Sequence, residues 1–185
     1  MWVAVVGPSG AGKDTLLAGA RAALAGDARF HFARRVISRP ADAGGEAHEF
    51  LPEDAFDAAD LVLRWDAHGL CYGIRRAEVA RASVTVMSLS RQVLREAATL
   101  HRLVVAEVTA PREVLRARLL ARGRESADAV EMRLVRGVKL PDGLHVAQVM
   151  NDGATEAGVA ALVAVLAGAA PPTGARTCAQ GGFPP

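Results

Sequence analysis

Seven residues near the amino terminus, Gly7-Pro8-Ser9-Gly10-Ala11-Gly12-Lys13, restrict the folds open to this chain more than any other stretch. They follow an apolar run over residues 2–6 that is rich in valine, and they precede Asp14 to Leu24, where apolar residues recur at helical spacing. A short, fully apolar run predicts a strand buried on both faces. Strand, glycine loop and helix in that order let successive backbone N–H groups point inward around a phosphate. The lysine then reaches the outer phosphates of a nucleotide, and the helix adds its positive end. Gly7, Pro8, Ser9, Gly10, Ala11, Gly12 and Lys13, with Asp14 and Thr15 behind them, are the expected ATP-binding residues. Asp14 stands where such loops usually carry a Ser or Thr for Mg²⁺, and Thr15 follows. Two readings are open: Asp14 approaches the metal directly or through water, or Thr15 supplies the hydroxyl while Asp14 favours the helix N-terminus.

Further along, Leu61 to Leu63, Val84 to Met87, Leu103 to Val108 and Val146 to Met150 predict strands. Arg75 to Ala82, Arg91 to Leu100, Pro111 to Ala121 and Thr155 to Leu166 predict helices, with Pro111 suited to a helix start. Strands alternating with helices predict an α/β fold, a parallel sheet flanked by helices, with its ligand at the carboxyl ends of the strands. Two polar stretches, Arg34 to Asp54 and Arg122 to Lys139, break the alternation and are candidates for mobile segments that close over substrates. The chain of 185 residues is the size of one domain. Residues 1–169 are expected to form it, and the Pro- and Gly-rich tail, 170–185, to be disordered.

A net charge of +2 does not suggest a nucleic-acid binder. Cys71 and Cys178 lie far apart and suggest neither a disulfide framework nor a zinc site. The amino terminus reads as neither signal peptide nor membrane span, which predicts a cytoplasmic protein. Of the 22 basic residues only Lys13 and Lys139 are lysines. Arginine suits phosphoryl transfer, because catalysis there rests on positioning and charge neutralisation and a planar guanidinium grips phosphate oxygens in pairs. The arginines fall in three groups: Arg34, Arg35 and Arg39; Arg64; and Arg118, Arg122, Arg124, Arg133 and Arg136. Arg133 and Arg136 share a helix face, and a helical hairpin can swing them onto ATP and exclude water. Any single arginine is more often a solvated charge than a ligand.

Together these residues resemble the guanylate kinase-like family of nucleoside monophosphate kinases. The loop Gly7 to Lys13 matches its phosphate loop, and Ile37-Ser38-Arg39-Pro40 through Gly45-Glu46 and Phe50 resembles its acceptor-binding segment. Trp65, Gly69 and Tyr72-Gly73 resemble its aromatic-glycine motif, Arg122-Gly123 with Arg133-Leu134 its lid, and Asn151-Asp152 its adenine-side loop. The resemblance implies catalytic roles for Lys13, Arg122 and Arg133 and an ATP contact at Asn151. It implies an acceptor segment over about 34–75 and a lid over about 122–139.

Three departures bear on the acceptor. Arg64 stands where guanylate kinases place a Glu that reads guanine. Met87-Ser88-Leu89-Ser90-Arg91 replaces an acidic residue after the central strand, and Asp42 and His48 replace an arginine and a tyrosine. The pattern is more similar to the ribose 1,5-bisphosphate phosphokinases of bacterial phosphonate breakdown. Gly12-Lys13-Asp14, Arg35-Val36-Ile37-Ser38-Arg39-Pro40-Ala41-Asp42-Ala43-Gly44-Gly45-Glu46, Trp65 with His68-Gly69 and Tyr72-Gly73, and Arg122-Gly123-Arg124-Glu125 carry that resemblance. It implies transfer of the γ-phosphoryl of ATP to ribose 1,5-bisphosphate, with Mg²⁺, giving 5-phosphoribosyl 1-diphosphate. On this reading Arg39 grips one acceptor phosphate and Arg64 or Arg35 the other, with Tyr72 nearby; His48, His68 and Trp65 are equally readable as structural. Two alternatives are a guanylate or other nucleoside monophosphate kinase, which Arg64 disfavours, and a non-catalytic guanylate kinase-like binding module, which the intact loop disfavours.

Overall fold

The computed structural model describes residues 1–40, 48–121, 123, 127–135 and 139–171. The apolar run becomes strand β1 (Trp2–Val6), every residue of it buried. Strand alternation sends Trp2, Ala4 and Val6 into one apolar cluster and Val3 and Val5 into another, so β1 is the partition between the two cores. Each of its fully buried valines contributes about 1.5–3 kcal/mol. β2 (Phe30–Phe32), β3 (Arg35–Ile37), β4 (Glu49–Phe50), β5 (Leu61–Ala67), β6 (Leu70–Arg75), β7 (Val84–Ser88), β8 (Leu103–Thr109) and β9 (His145–Met150) follow in sequence. They divide into two sheets. The larger has the order β2-β7-β1-β8-β9 with every pairing parallel. Because β1 is flanked on both sides, the loop leaving it sits at the centre of the sheet's carboxyl edge.

Helix α1 (Lys13–Ala23) buries Leu16 and Ala20 against the larger sheet. α2 (Leu94–Leu100) follows a 3-10 turn over Arg91–Val93; α3 (Arg112–Ala121) and α4 (Ala127–Val135) pair with each other; α5 (Thr155–Ala169) packs on α1. That last contact is close because residue 19 is glycine: a Cβ there would stand 2.4 Å from Val159 Cγ2. Among the described residues no helix is long and apolar enough to cross a membrane.

The second sheet has the order β4-β3-β6-β5 and corrects one expectation. The segment Arg34 to Asp54, a candidate for a segment that closes over substrates, supplies β3 and β4 in its described part, because Val36 and Ile37 are buried and Val36 packs with Phe56 and Cys71. Residues 41–47 lie outside the described residues. The helix expected over Arg75 to Ala82 is the end of β6 and a 3-10 turn at Arg76–Glu78. Ladder pairing of Ile74 with Arg35 and of Arg75 with Leu61 overrides the helical spacing. β5 and β6 join through His68 and Gly69, both at positive φ (55° and 72°), a two-residue turn whose twist matches a hairpin.

Candidate active site

The phosphate loop is shaped by close approaches that only glycine permits. A Cβ on Gly7 would lie 2.4 Å from the carbonyl oxygen of Val108, so a side chain there would push the loop off β8. Gly12 has φ 83° and immediately precedes α1; no side chain caps that helix, which leaves its first-turn N–H groups for a ligand. A Cβ on Gly12 would stand 2.4 Å from Asn151 Nδ2. Asn151, buried at the end of β9, donates from Nδ2 to the Ala11 carbonyl at 2.7 Å and from its backbone N–H to Thr109 at 2.8 Å. Its side chain is thus a strut beneath the loop.

Lys13 Nζ donates to Asp14 Oδ1 at 2.6 Å and to Ser88 Oγ at 2.7 Å. Ser88 is the buried last residue of β7, so the neighbouring strand anchors the ammonium beside the loop. The Asp14 carboxylate is 59% exposed, and Thr15 is exposed as well. Both offer hard oxygen donors at the first turn of α1, which fits a cation held mainly by nucleotide phosphates and water. Among the described residues no cluster of three or more His, Cys, Asp or Glu side chains could hold a metal by itself.

Arg118 comes to the loop from α3: its Nη1 donates to the Asn151 carbonyl at 2.9 Å and would be 3.9 Å from a Cβ on Gly12. The α3–α4 pair is tied by Glu131, which accepts from Arg116 Nε at 2.5 Å and Arg112 Nη2 at 2.9 Å. Those hydrogen bonds, from Arg116 first and Arg112 second, hold the Glu131 carboxyl below its usual range. Arg122, Arg124 and Arg136 lie outside the described residues, and so does the side chain of Arg133.

On the second sheet Arg35, Tyr72 and Trp65 form one stack. The guanidinium of Arg35 lies 5.3 Å from the Tyr72 ring centroid, and the Tyr72 and Trp65 rings lie 5.6 Å apart and 8° from parallel. This face joins the apolar cluster that contains Met87, Leu89 and Val93, and so turns toward the larger sheet. Arg39 follows β3; its Nε is buried without a hydrogen-bond partner among the described residues, and its carbonyl accepts from Nε2 of the buried His48 at 2.8 Å. Arg64 is not brought to Arg35 and Tyr72. It precedes Trp65 on β5 and so points to the other face, over Phe56 (5.7 Å) and paired with Asp57. His68 is exposed at the tip of the hairpin.

Ser88 carried no site role in the sequence reading, and Arg118 was marked only as one of a group of five arginines. The position of Ser88 at the end of a strand next to β1 was the available signal. Arg118 lay within an arginine group that the sequence did mark, but only the packing of α3 on the loop distinguishes it from Arg112 and Arg116.

No family model matches the chain. It is 46% identical over 151 residues to a ribose 1,5-bisphosphate phosphokinase of Brucella melitensis, covering 77% of this chain and 78% of that protein. It is 45% identical over 174 residues to a protein of the same name from Ruegeria, with 89% and 90% covered. A bifunctional ribose 1,5-bisphosphokinase-thymidine phosphorylase of Azorhizobium caulinodans is 47% identical over 171 residues, and this chain spans only 25% of that protein's length. The fold matches a guanylate kinase from Anaplasma phagocytophilum with a TM-score of 0.62 at 15% identity, over 91% of this chain and 85% of that one.

Proposed function

We propose, because this chain belongs to the ribose 1,5-bisphosphate phosphokinase family, that it transfers the γ-phosphoryl group of ATP to the 1-phosphate of ribose 1,5-bisphosphate, giving 5-phosphoribosyl 1-diphosphate and ADP. Residues 1–169 are the kinase domain on this reading, with the acceptor segment at about 34–75 and the lid at about 122–139. The observation that carries it is the pairing of a glycine loop, with Lys13 anchored on Ser88, and an opposing sheet that offers arginine and stacked aromatic rings. Position 64, where a guanine-reading carboxylate would stand, is an arginine paired with Asp57.

An oxygen of the acceptor phosphate attacks Pγ, the bond from Pγ to the β,γ-bridging oxygen breaks, and ADP leaves with that electron pair. A phosphate monoester has a second pKa of about 6, so the acceptor is already an anionic nucleophile near neutral pH and no general base is needed. The barrier is repulsion: two unit charges 4 Å apart cost about 4 kcal/mol at an effective dielectric of 20. Lys13 and the loop N–H groups oppose it on the donor side, with Gly7 to Thr15 around the phosphates and Asn151 bracing the loop. Arg39, whose buried Nε lacks a partner among the described residues, and Arg35 beside Tyr72 oppose it on the acceptor side. The face that carries Arg35 and Tyr72 turns toward the larger sheet, which favours Arg35 over Arg64 as the second phosphate ligand. Arg122 and Arg133 of the lid complete the charge neutralisation. Mg²⁺, held at Asp14 or Thr15, would neutralise charge on the β and γ oxygens.

The test is ADP release from ATP–Mg²⁺ with ribose 1,5-bisphosphate, GMP or no acceptor. Release only with the ribose bisphosphate is expected. Release driven by GMP instead would make the protein a nucleoside monophosphate kinase, and no release with either would overturn a catalytic role.

A further inference from the structure

Arg91 has no part in the reading above, yet it stands between the two halves of the site. It opens the 3-10 turn at Arg91–Val93, which packs against β5, the strand that carries Trp65. Its Nη2 donates to Glu107 Oε1 at 2.9 Å, and the two side chains are only 15% and 16% exposed. Its Nε is buried without a hydrogen-bond partner among the described residues. Glu107 on β8 is in register with Val6, the residue before the phosphate loop. Alternation puts Glu107 on the same face as Leu103 and Val105, which share an apolar cluster with Trp65. The pair therefore lies at the carboxyl edge of the larger sheet, on the side facing the second sheet. Three residues before Arg91, Ser88 anchors Lys13.

A mostly buried ion pair is expensive to desolvate, and replacing it with apolar side chains is often neutral or stabilising. One carboxylate oxygen also leaves most of a five-donor guanidinium without a charged partner. A pair that served the fold alone would be expected to satisfy its buried Nε, since buried polar groups are nearly always hydrogen-bonded. A carboxylate on one edge of the fork keeps the cation in place without ligand and leaves donors for a second anion. That anion must sit between the phosphate loop and the acceptor sheet, where an acceptor with two phosphates brings its charge.

We propose that Arg91, oriented by Glu107, is an acceptor-binding residue that grips a phosphate oxygen of the bisphosphorylated sugar. The proposal rests on the reaction proposed above. It is tested by measuring ADP release by the wild-type protein, Arg91→Met and Arg91→Lys, titrating ribose 1,5-bisphosphate and ATP separately and recording each protein's Tm. Arg91→Met is expected to raise the acceptor KM at least about tenfold, as for loss of a charge-assisted hydrogen bond, and to leave the ATP KM within about twofold. Arg91→Lys, which keeps the charge and loses the planar fork, should fall between. An unchanged acceptor KM in Arg91→Met, or equal rises in both KM values, would overturn the assignment while the wild-type reaction stands. If Arg91→Met does not fold, Arg91→Lys decides: a severalfold rise in acceptor KM alone supports the proposal, and no rise overturns it. Wild-type protein that releases no ADP with ribose 1,5-bisphosphate overturns the reaction itself, before any variant is compared.

Discussion

A methyl group on Gly12 would meet the Asn151 amide at 2.4 Å in a residue whose φ is 83°. The left-handed backbone alone costs a non-glycine residue roughly 1–2 kcal/mol, and the strut under the loop must move as well. Gly12→Ala is therefore expected to lower Tm by about 2–8 °C for a chain of this size and to raise the ATP KM, measurable by melting and by ATP titration. Lys13 and Ser88 form a graded pair. Lys13→Met removes the charge that meets the developing negative charge and should lower kcat by roughly 100-fold or more. Ser88→Ala removes one acceptor from the Lys13 ammonium, a charge-assisted bond worth about 1.5–3 kcal/mol, so its effect should lie between about tenfold and 100-fold and below that of Lys13→Met. If Ser88→Ala matched Lys13→Met in single-turnover assays, Ser88 would have to act on the substrate rather than on the lysine.

The β5–β6 hairpin places His68 at φ 55° before Gly69, and the side chain is exposed. Asparagine tolerates this conformation better, so His68→Asn should stabilise the hairpin by a few tenths of a kcal/mol and leave activity unchanged. A large loss of turnover would give His68 the ligand role that its place in the turn argues against. β2 and the 3-10 turn at Arg76–Glu78 are joined through Glu78, which accepts from the Arg34 N–H at 2.9 Å and lies 2.9 Å from His31 Nε2. Burial pushes the Glu78 carboxyl up, but the Arg34 and His31 hydrogen bonds outweigh it and hold the group below its ordinary value of 4.5. A depressed carboxyl pKa contributes stability that is complete above the unfolded value and is lost as pH falls through the folded value. Melting from pH 6 down to pH 3 should thus show a loss beginning near 4.5 that Glu78→Gln flattens.

At the scale of the molecule, Arg29 Nη1 donates to the Pro171 carbonyl at 3.2 Å and ties the end of the described chain to the segment before β2. A protein cut after Pro171 is expected to keep the Tm and kcat of the full chain, whereas a cut after Ala169 should lose a little of both; a large loss in the first would show that residues 172–185 contribute to the fold or the site. β1, the phosphate loop and α1 were legible from sequence because their signals are local: an apolar run, glycine spacing and helical periodicity within some twenty residues. The order of the larger sheet, the strands of the second sheet and the strut at Asn151 were not, since each depends on contacts between residues far apart in the chain. Arg64 and Arg35 illustrate the difference. Sequence alone identified both as candidates for the acceptor phosphates, and the registers of β3 and β5 on the strand between them, β6, put them on opposite faces. A strand reverses its side chains at every residue, so a single step of register moves a residue from one face of the sheet to the other. The sequence by itself determined that a glycine loop would join the first strand to the first helix, and it marked arginines as candidate partners for it. Which arginines meet there, Arg118 at the loop and Arg91 with Glu107 between the sheets, only the tertiary structure decided.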